Sequence, residues 1–198
     1  MIEFIKIEKS LPYKRFLLEY QRAYDLGQKY IEAINVCSYN SKKKEVTSRF
    51  VNLKYIKDNK FYFFTNYNSP KSQDFQTNNN IACTIFWSKT NVQIRIKAQV
   101  EKISSQESDD HFYSRSNEKN ILAISSMQSS TINSYEEVIK NYENTSSNLK
   151  DITRPSYWGG YAFQPYYFEF WEGNKNRINK RESFSLEQNE WLKEFLQP

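Results

Sequence analysis

One histidine and two cysteines in 198 residues leave too few soft ligands for a zinc site. Cys37 and Cys83 lack metal-ligand spacing, and each sits in an apolar run that reads as a strand, so both are expected as buried thiols. No apolar run approaches the ~18–20 residues of a membrane span, and the N-terminal MIEFIKIEKS lacks the apolar core of a secretory signal. The expectation is therefore a cytoplasmic protein with no membrane partner. Internal repeats and low-complexity tracts are absent, and no composition shift marks a linker, so residues 1–198 are expected to form a single domain. Basic residues are seldom clustered: the net charge is +5, but Lys42-Lys43-Lys44 is the one dense run and falls where a solvated turn is expected. Charge alone does not distinguish a polyanion from a small phosphorylated ligand; the dispersed pattern argues against nucleic acid.

Glycine is scarce too, yet three of the four glycines (Gly159, Gly160 and Gly173) fall in one stretch, Arg154–Arg181. Trp158, Trp171, Arg154, Arg177 and Arg181 share it. Glycine permits close approach, Trp and Tyr offer rigid walls, and Arg offers a planar fork for phosphate or carboxylate. Aromatics recur from Tyr161 to Trp171 across two extended segments broken at Pro165, and Gly173-Asn174 reads as a turn into Arg177–Arg181. Composition leaves open whether this is an aromatic hairpin packed in a core or a ligand site.

Along the chain, apolar residues at Phe16, Leu17, Tyr20, Ala23 and Tyr24 predict an amphipathic helix over 12–27, ending at Gly27. Strands are expected over 31–39, 47–56, 60–67 and 81–87, with a turn at Lys57–Lys60 and a brief helix over 69–79. Residues 91–103 alternate cleanly, with Val92, Ile94, Ile96, Ala98 and Val100 on one face. Helical segments follow over 105–126, with a turn near Arg115-Ser116-Asn117. Another helix starts at the capping box Ser134–Glu137, and a short last strand is expected over 189–196. The expected fold is mainly β (α+β), an antiparallel barrel, closed or split, of six or more strands with peripheral helices, because closure removes exposed edges.

The run Pro155-x-x-Trp158-Gly-Gly-Tyr161, then Glu169-Phe170-Trp171-Glu172-Gly173, then Arg177-Ile-Asn-Lys-Arg181, resembles the C-terminal signature of the pyridoxine/pyridoxamine 5′-phosphate oxidase family. Two upstream runs are similar to that family as well, Arg49–Lys54 and Phe63-Phe64-Thr65-Asn66-Tyr67 followed by Lys71. The resemblance implies an FMN-binding split barrel, a homodimer with FMN at the subunit interface, and a C-terminal dimerisation and substrate segment over 154–198. It implies FMN contacts from Arg49, Phe50, Val51, Asn52, Leu53, Lys54, Phe64, Thr65 and Lys71, and from Gln93, Gln128, Ser129, Trp171 and Arg181. Arg49 and Lys71 suit the FMN phosphate; Pro70 takes the place of a family arginine.

For the substrate, a small phosphorylated molecule with O2 as acceptor, the resemblance implies Lys54, His111, Arg115 and Lys119 at the phosphate. Arg177 and Asn179 are implied at the reacting ring. Three of these positions depart from the family: His111 stands for a tyrosine, Lys119 for a serine and Asn179 for a histidine. His111 on its own reads as a solvated helix residue. The implied activity is oxidation to pyridoxal 5′-phosphate. The departures motivate two alternatives: an FMN oxidase of a different substrate, as in phenazine biosynthesis, or a flavin binder without turnover.

Overall fold

The computed structural model describes residues 1–198 and contains ten strands and five helices. In chain order these are β1 (Glu3–Ile5), α1 (Leu11–Asp25), β2 (Ala33–Asn40), β3 (Glu45–Asn52), β4 (Tyr55–Lys57) and β5 (Lys60–Asn66). Next come α2 (Pro70–Thr77), β6 (Asn80–Trp87), β7 (Val92–Lys102), α3 (Ser105–Ser114), α4 (Asn117–Ser125) and α5 (Tyr135–Asn148). The chain closes with β8 (Trp158–Glu172), β9 (Lys180–Glu187) and β10 (Glu190–Phe195).

All ten strands join one sheet, in the path β1-β4-β5-β8-β7-β6-β2-β3, with β9 and β10 branching from β8. Two expectations are corrected here. The sheet is mixed, because β1 runs parallel to β4, a pairing that a three-residue N-terminal strand gives no sign of in sequence. It is also an open path, with no ladder joining β3 back to the other end.

The fork in the sheet sits at Pro165. The strand β8 pairs with β7 from Tyr161 to Glu172, while its other edge carries β5 as far as Phe163 and β9 from Tyr167 onward. Proline has no N–H to give, and it falls in the gap between those two edge partners, where the β7 ladder also shifts register. The expected break at Pro165 is thus a bulge within one fifteen-residue strand. In the opposite sense, the segment read as one strand over 47–56 is two, β3 and β4, interrupted at Leu53-Lys54.

The core is one cluster of aromatic and branched side chains, with Phe16, Phe61, Phe163 and Phe168 at its centre. The alternation of β7 places Ile94, Ile96 and Ala98 in it, as the pattern requires. Helix α1 covers the sheet through Tyr13, Phe16, Tyr20 and Ala23, whereas Leu17 and Tyr24 face outward. Gly27, at φ +69°, ends that helix as expected. Of the two cysteines, Cys83 is buried and Cys37 only half-buried. Ser134 accepts from the Glu137 backbone, but the return bond of a capping box forms at α3 instead, between Ser104 and Glu107.

Candidate functional site

Strands β3 and β5, helices α2, α3 and α4, and the loop after α4 enclose a cleft of about 940 Å3. Its floor comes from β3. Arg49 is half-buried and donates to the Val36 carbonyl at 3.1 Å and to Ser38 Oγ at 2.7 Å, and it also bonds Thr47 Oγ1. Asp74 of α2, 3.8 Å from the same guanidinium, accepts from Ser38, Asn40 and Thr47 at 2.7–2.9 Å. Burial works against ionisation of Asp74, but these three bonds and the Arg49 charge outweigh it and hold its pKa below the usual carboxylate range.

Next to this network lies Lys71, 5% exposed, with no carboxylate partner and one hydrogen bond, to Ser69 Oγ at 3.0 Å. Burial, with the Arg49 charge, lowers its pKa to about 8. A buried ammonium without a counter-charge is costly, and an anion placed in this corner would offset that cost. Phe64 and Thr65 of β5 line the adjoining wall. The Gln128 carboxamide oxygen accepts from Thr65 Oγ1 and Asn66 N, both at 3.0 Å, which latches the loop after α4 to the end of β5.

The opposite wall is helical. His111 of α3 is 8% exposed and stacks on Phe64 at 3.6 Å between ring centroids; Trp158 lies parallel beyond, 5.6 Å from Phe64. The expectation of a solvated His111 is therefore corrected, since rings distant in sequence cover it. Its Nδ1 meets the Tyr55 hydroxyl at 2.6 Å. Burial first, then Arg115, Lys54 and Lys119, lower its pKa to about 4, so His111 is neutral at physiological pH. The Arg115 guanidinium lies 4.4 Å above the Trp158 ring, and its partner Lys119 carbonyl ties the turn between α3 and α4. Lys54, half-buried at the break between β3 and β4, has its pKa lowered by burial and by Lys119 and Arg115, against the pull of Glu32. Arg154 braces this wall by donating to Asp109 at 2.6 Å and to the Trp158 carbonyl at 2.7 Å.

Thirteen of the sequence-derived site residues thus line one cleft: Arg49, Phe50, Val51, Asn52, Lys54, Phe64, Thr65, Lys71, His111, Arg115, Lys119, Gln128 and Ser129. Leu53 is the exception within its run, its side chain fully buried in the core. Five more lie elsewhere. Gln93, Trp171 and Arg181 form a single row across β7, β8 and β9, in register with one another. Arg181 donates there to Glu169 at 2.8 and 3.1 Å, opposite Arg95 at 3.0 Å. Trp171 stands thirteen residues beyond the cleft's Trp158 on one strand, about 40 Å of extended chain. Arg177, exposed at φ 60°, and Asn179, whose Oδ1 accepts from Asn174 N at 3.0 Å, shape the loop between β8 and β9. Sequence reasoning missed Asp74, Tyr55 and Ser114. Asp74 carries no local signal, and Tyr55 meets His111 only through the fold.

Residues 30–145 match the family profile described as pyridoxamine 5′-phosphate oxidase, and residues 158–198 match the pyridoxine 5′-phosphate oxidase C-terminal dimerisation region. The chain belongs to the pyridoxamine 5′-phosphate oxidase family. Relatives in this family include the pyridoxine/pyridoxamine 5′-phosphate oxidase of Leptospira biflexa, 35% identical over 94% of this chain and 89% of that protein. That of Cytophaga hutchinsonii is 37% identical over 89% and 83%. The fold is also that of PhzG from Burkholderia lata, solved in complex with tetrahydrophenazine-1-carboxylic acid; the TM-score is 0.84 at 23% identity, covering 93% of this chain and 90% of that one. A pyridoxamine 5′-phosphate oxidase-related, FMN-binding protein from Nostoc punctiforme superposes with TM-score 0.80 at 14% identity, covering 96% and 100%. No helix of this chain is long and apolar enough to cross a membrane.

Proposed function

We propose that the protein is an FMN-dependent oxidase that converts pyridoxine or pyridoxamine 5′-phosphate to pyridoxal 5′-phosphate. The observation that carries this reading is Lys71, a buried ammonium lacking a counter-charge beside Arg49 in a cleft of ligand size. The donor set fits FMN: Arg49 and Lys71 suit its phosphate, while Phe64, Thr65, Gln128 and Ser129 suit the body of the molecule. Bound flavin would supply the redox chemistry, accepting hydride from the substrate C4′ carbon at N5 and passing the electrons to O2 to give peroxide.

The chain's own contribution is anchorage and orientation. Lys54, Arg115 and Lys119 hold the substrate phosphate at the helical wall, and His111 bounds it through its buried ring. Gln93, Trp171 and Arg181 lie outside the protomer's own cleft, so we assign them, with Arg177 and Asn179, to the cleft of a second copy in a two-fold dimer. The dimerisation-region match over 158–198 supports that assignment. Asn179 can donate and accept but does not titrate, so proton movement at that position is not asked of it.

A second reading keeps FMN and changes the substrate. It is favoured by His111, Lys119 and Asn179, where the substrate side departs from the family while the FMN side is nearly whole, and by the PhzG likeness in fold. One experiment separates the readings. FMN-loaded protein is mixed anaerobically with pyridoxamine 5′-phosphate and the oxidised-flavin absorption is followed. Bleaching, with recovery in air, is the expected result; flavin that binds and stays oxidised directs the search to another substrate.

A further inference from the structure

Tyr55 and His111 form a hydrogen-bonded pair in which either partner can be the donor, so the bond's direction sets the protonation pattern of the imidazole. The ring is clamped between Phe64 on its face and Tyr55 on its edge, the latter T-shaped at 5.3 Å between centroids. Nδ1 meets the Tyr55 hydroxyl at 2.6 Å, on the side of a small secondary pocket lined by Tyr55, Tyr62, Lys57, Glu107 and Asp110. His111 also lines the main cleft, which Tyr55 does not; Nε2 has no hydrogen-bond partner in the protein, and the charged neighbours there are Lys54, Arg115 and Lys119. Burial first, and then these three cations, make a second proton on the ring unfavourable, so His111 carries one proton and its position decides what the cleft sees.

We propose that Tyr55 is a positioning residue that donates its O–H to Nδ1 and thereby fixes His111 as the Nε2–H tautomer, an uncharged donor to the anion held by Lys54, Arg115 and Lys119. A neutral N–H among three cations adds a hydrogen bond without adding repulsion. The competing arrangement has Tyr55 donate to Ser114, whose own O–H is committed to the His111 carbonyl at 2.8 Å. Nδ1 would then carry the proton, and Nε2 would turn a lone pair on an incoming anion. The inference deepens the proposed phosphate subsite and rests on that reading for its ligand, but the tautomer itself does not.

His111 is the chain's one histidine, so isotope-labelled imidazole gives a single spin system in nitrogen NMR. The full chain is measured alone, with FMN, and with inorganic phosphate added to the FMN-loaded protein. The expected spectrum has Nδ1 as the bare nitrogen and Nε2 as the protonated one, with the Nε2–H resonance moving on phosphate addition. Tyr55→Phe keeps the ring contact and is expected to mix the tautomers and to weaken phosphate about tenfold, while leaving FMN affinity unchanged. Ser114→Ala is expected to leave the tautomer as it was. An Nδ1–H spectrum in the wild type overturns the proposal without any variant, as does a Tyr55→Phe spectrum identical to wild type. A fixed Nε2–H whose resonance ignores phosphate overturns the donor role. Failure of flavin bleaching leaves all of these readouts intact, so the oxidase reading and this one fail separately.

Discussion

Around Arg49 and Asp74 the cleft wall is tied down by hydrogen bonds running between β2, β3 and α2. Across the cleft, the cations of α3 and α4 are held by ring stacking and a single turn, and Lys119 is exposed. By resemblance in sequence, the first wall keeps nearly every residue of the family pattern, whereas on the second His111 and Lys119 depart from it. A connected hydrogen-bond network constrains many side chains at once, because each member of the Asp74 network satisfies another. On the helical wall Arg115 is tied only by ring contacts and the Lys119 carbonyl, and the exposed Lys119 side chain has no hydrogen-bond partner, so residues there can be exchanged with less disturbance.

The largest expected effect comes from breaking the tied wall at its hub. Asp74→Ala strands the hydroxyls of Ser38 and Thr47, the Asn40 amide and the Arg49 charge, and should lower unfolding stability by about 3–4 kcal/mol in denaturant titration. Asp74→Asn, which keeps some acceptors, should cost about half as much.

Lys71→Met should separate stability from function. Loss of the buried ammonium should weaken FMN about a hundredfold by fluorescence titration, with little or no loss of fold stability, since the amine is the strained group. The pH dependence has a definite sign. With the folded pKa lowered to about 8 from 10.5, the ligand-free protein should gain stability as pH rises between these values, because the unfolded chain then holds the extra proton. FMN affinity should fall as pH rises above about 8, where the ligand-free protein loses the cation.

On the helical wall, the His111 pKa of about 4 against an ordinary 6.5 predicts stability that is present above pH 6.5 and lost as pH falls toward 4. The loss should be about 2–3 kcal/mol and should vanish in His111→Tyr. The smallest effect is expected at Asn179. If the vitamin-phosphate reading holds, Asn179→His should raise turnover of pyridoxine 5′-phosphate roughly two- to tenfold by restoring a titratable group; unchanged null activity would favour the altered-substrate reading.

Sequence pattern made some parts of this molecule plain and hid others for physical reasons. The alternation of β7 and the glycine after α1 are local signals and were readable. Gly159 and Gly160 also had their reason in close approach: a side chain on either would strike Tyr67 or Ile103 and Phe64. Pro165 misled in one respect, because a proline in a strand signals the end of donation and not of the strand. The interruption at Leu53-Lys54 was invisible, since the alternation of apolar residues runs through it. His111 looked solvated because its burial depends on Phe64 and Trp158, which lie forty-seven residues away on either side. Most of the cleft's lining could be named by resemblance, whereas Asp74 and Tyr55, which organise that lining, required the fold.

The central claim is that each cleft is completed by the Gln93–Trp171–Arg181 row of a second copy, and subunit mixing tests it directly. Lys71→Met breaks a cleft in its own chain, and Trp171→Ala breaks the row that the chain lends. Each variant alone should bind FMN poorly. After unfolding and refolding together, two-fold pairing at random should restore wild-type affinity to roughly a quarter of the sites, those in mixed dimers that join an intact cleft to an intact row. No recovery on mixing would contradict the account and place both sets of residues in one chain's site.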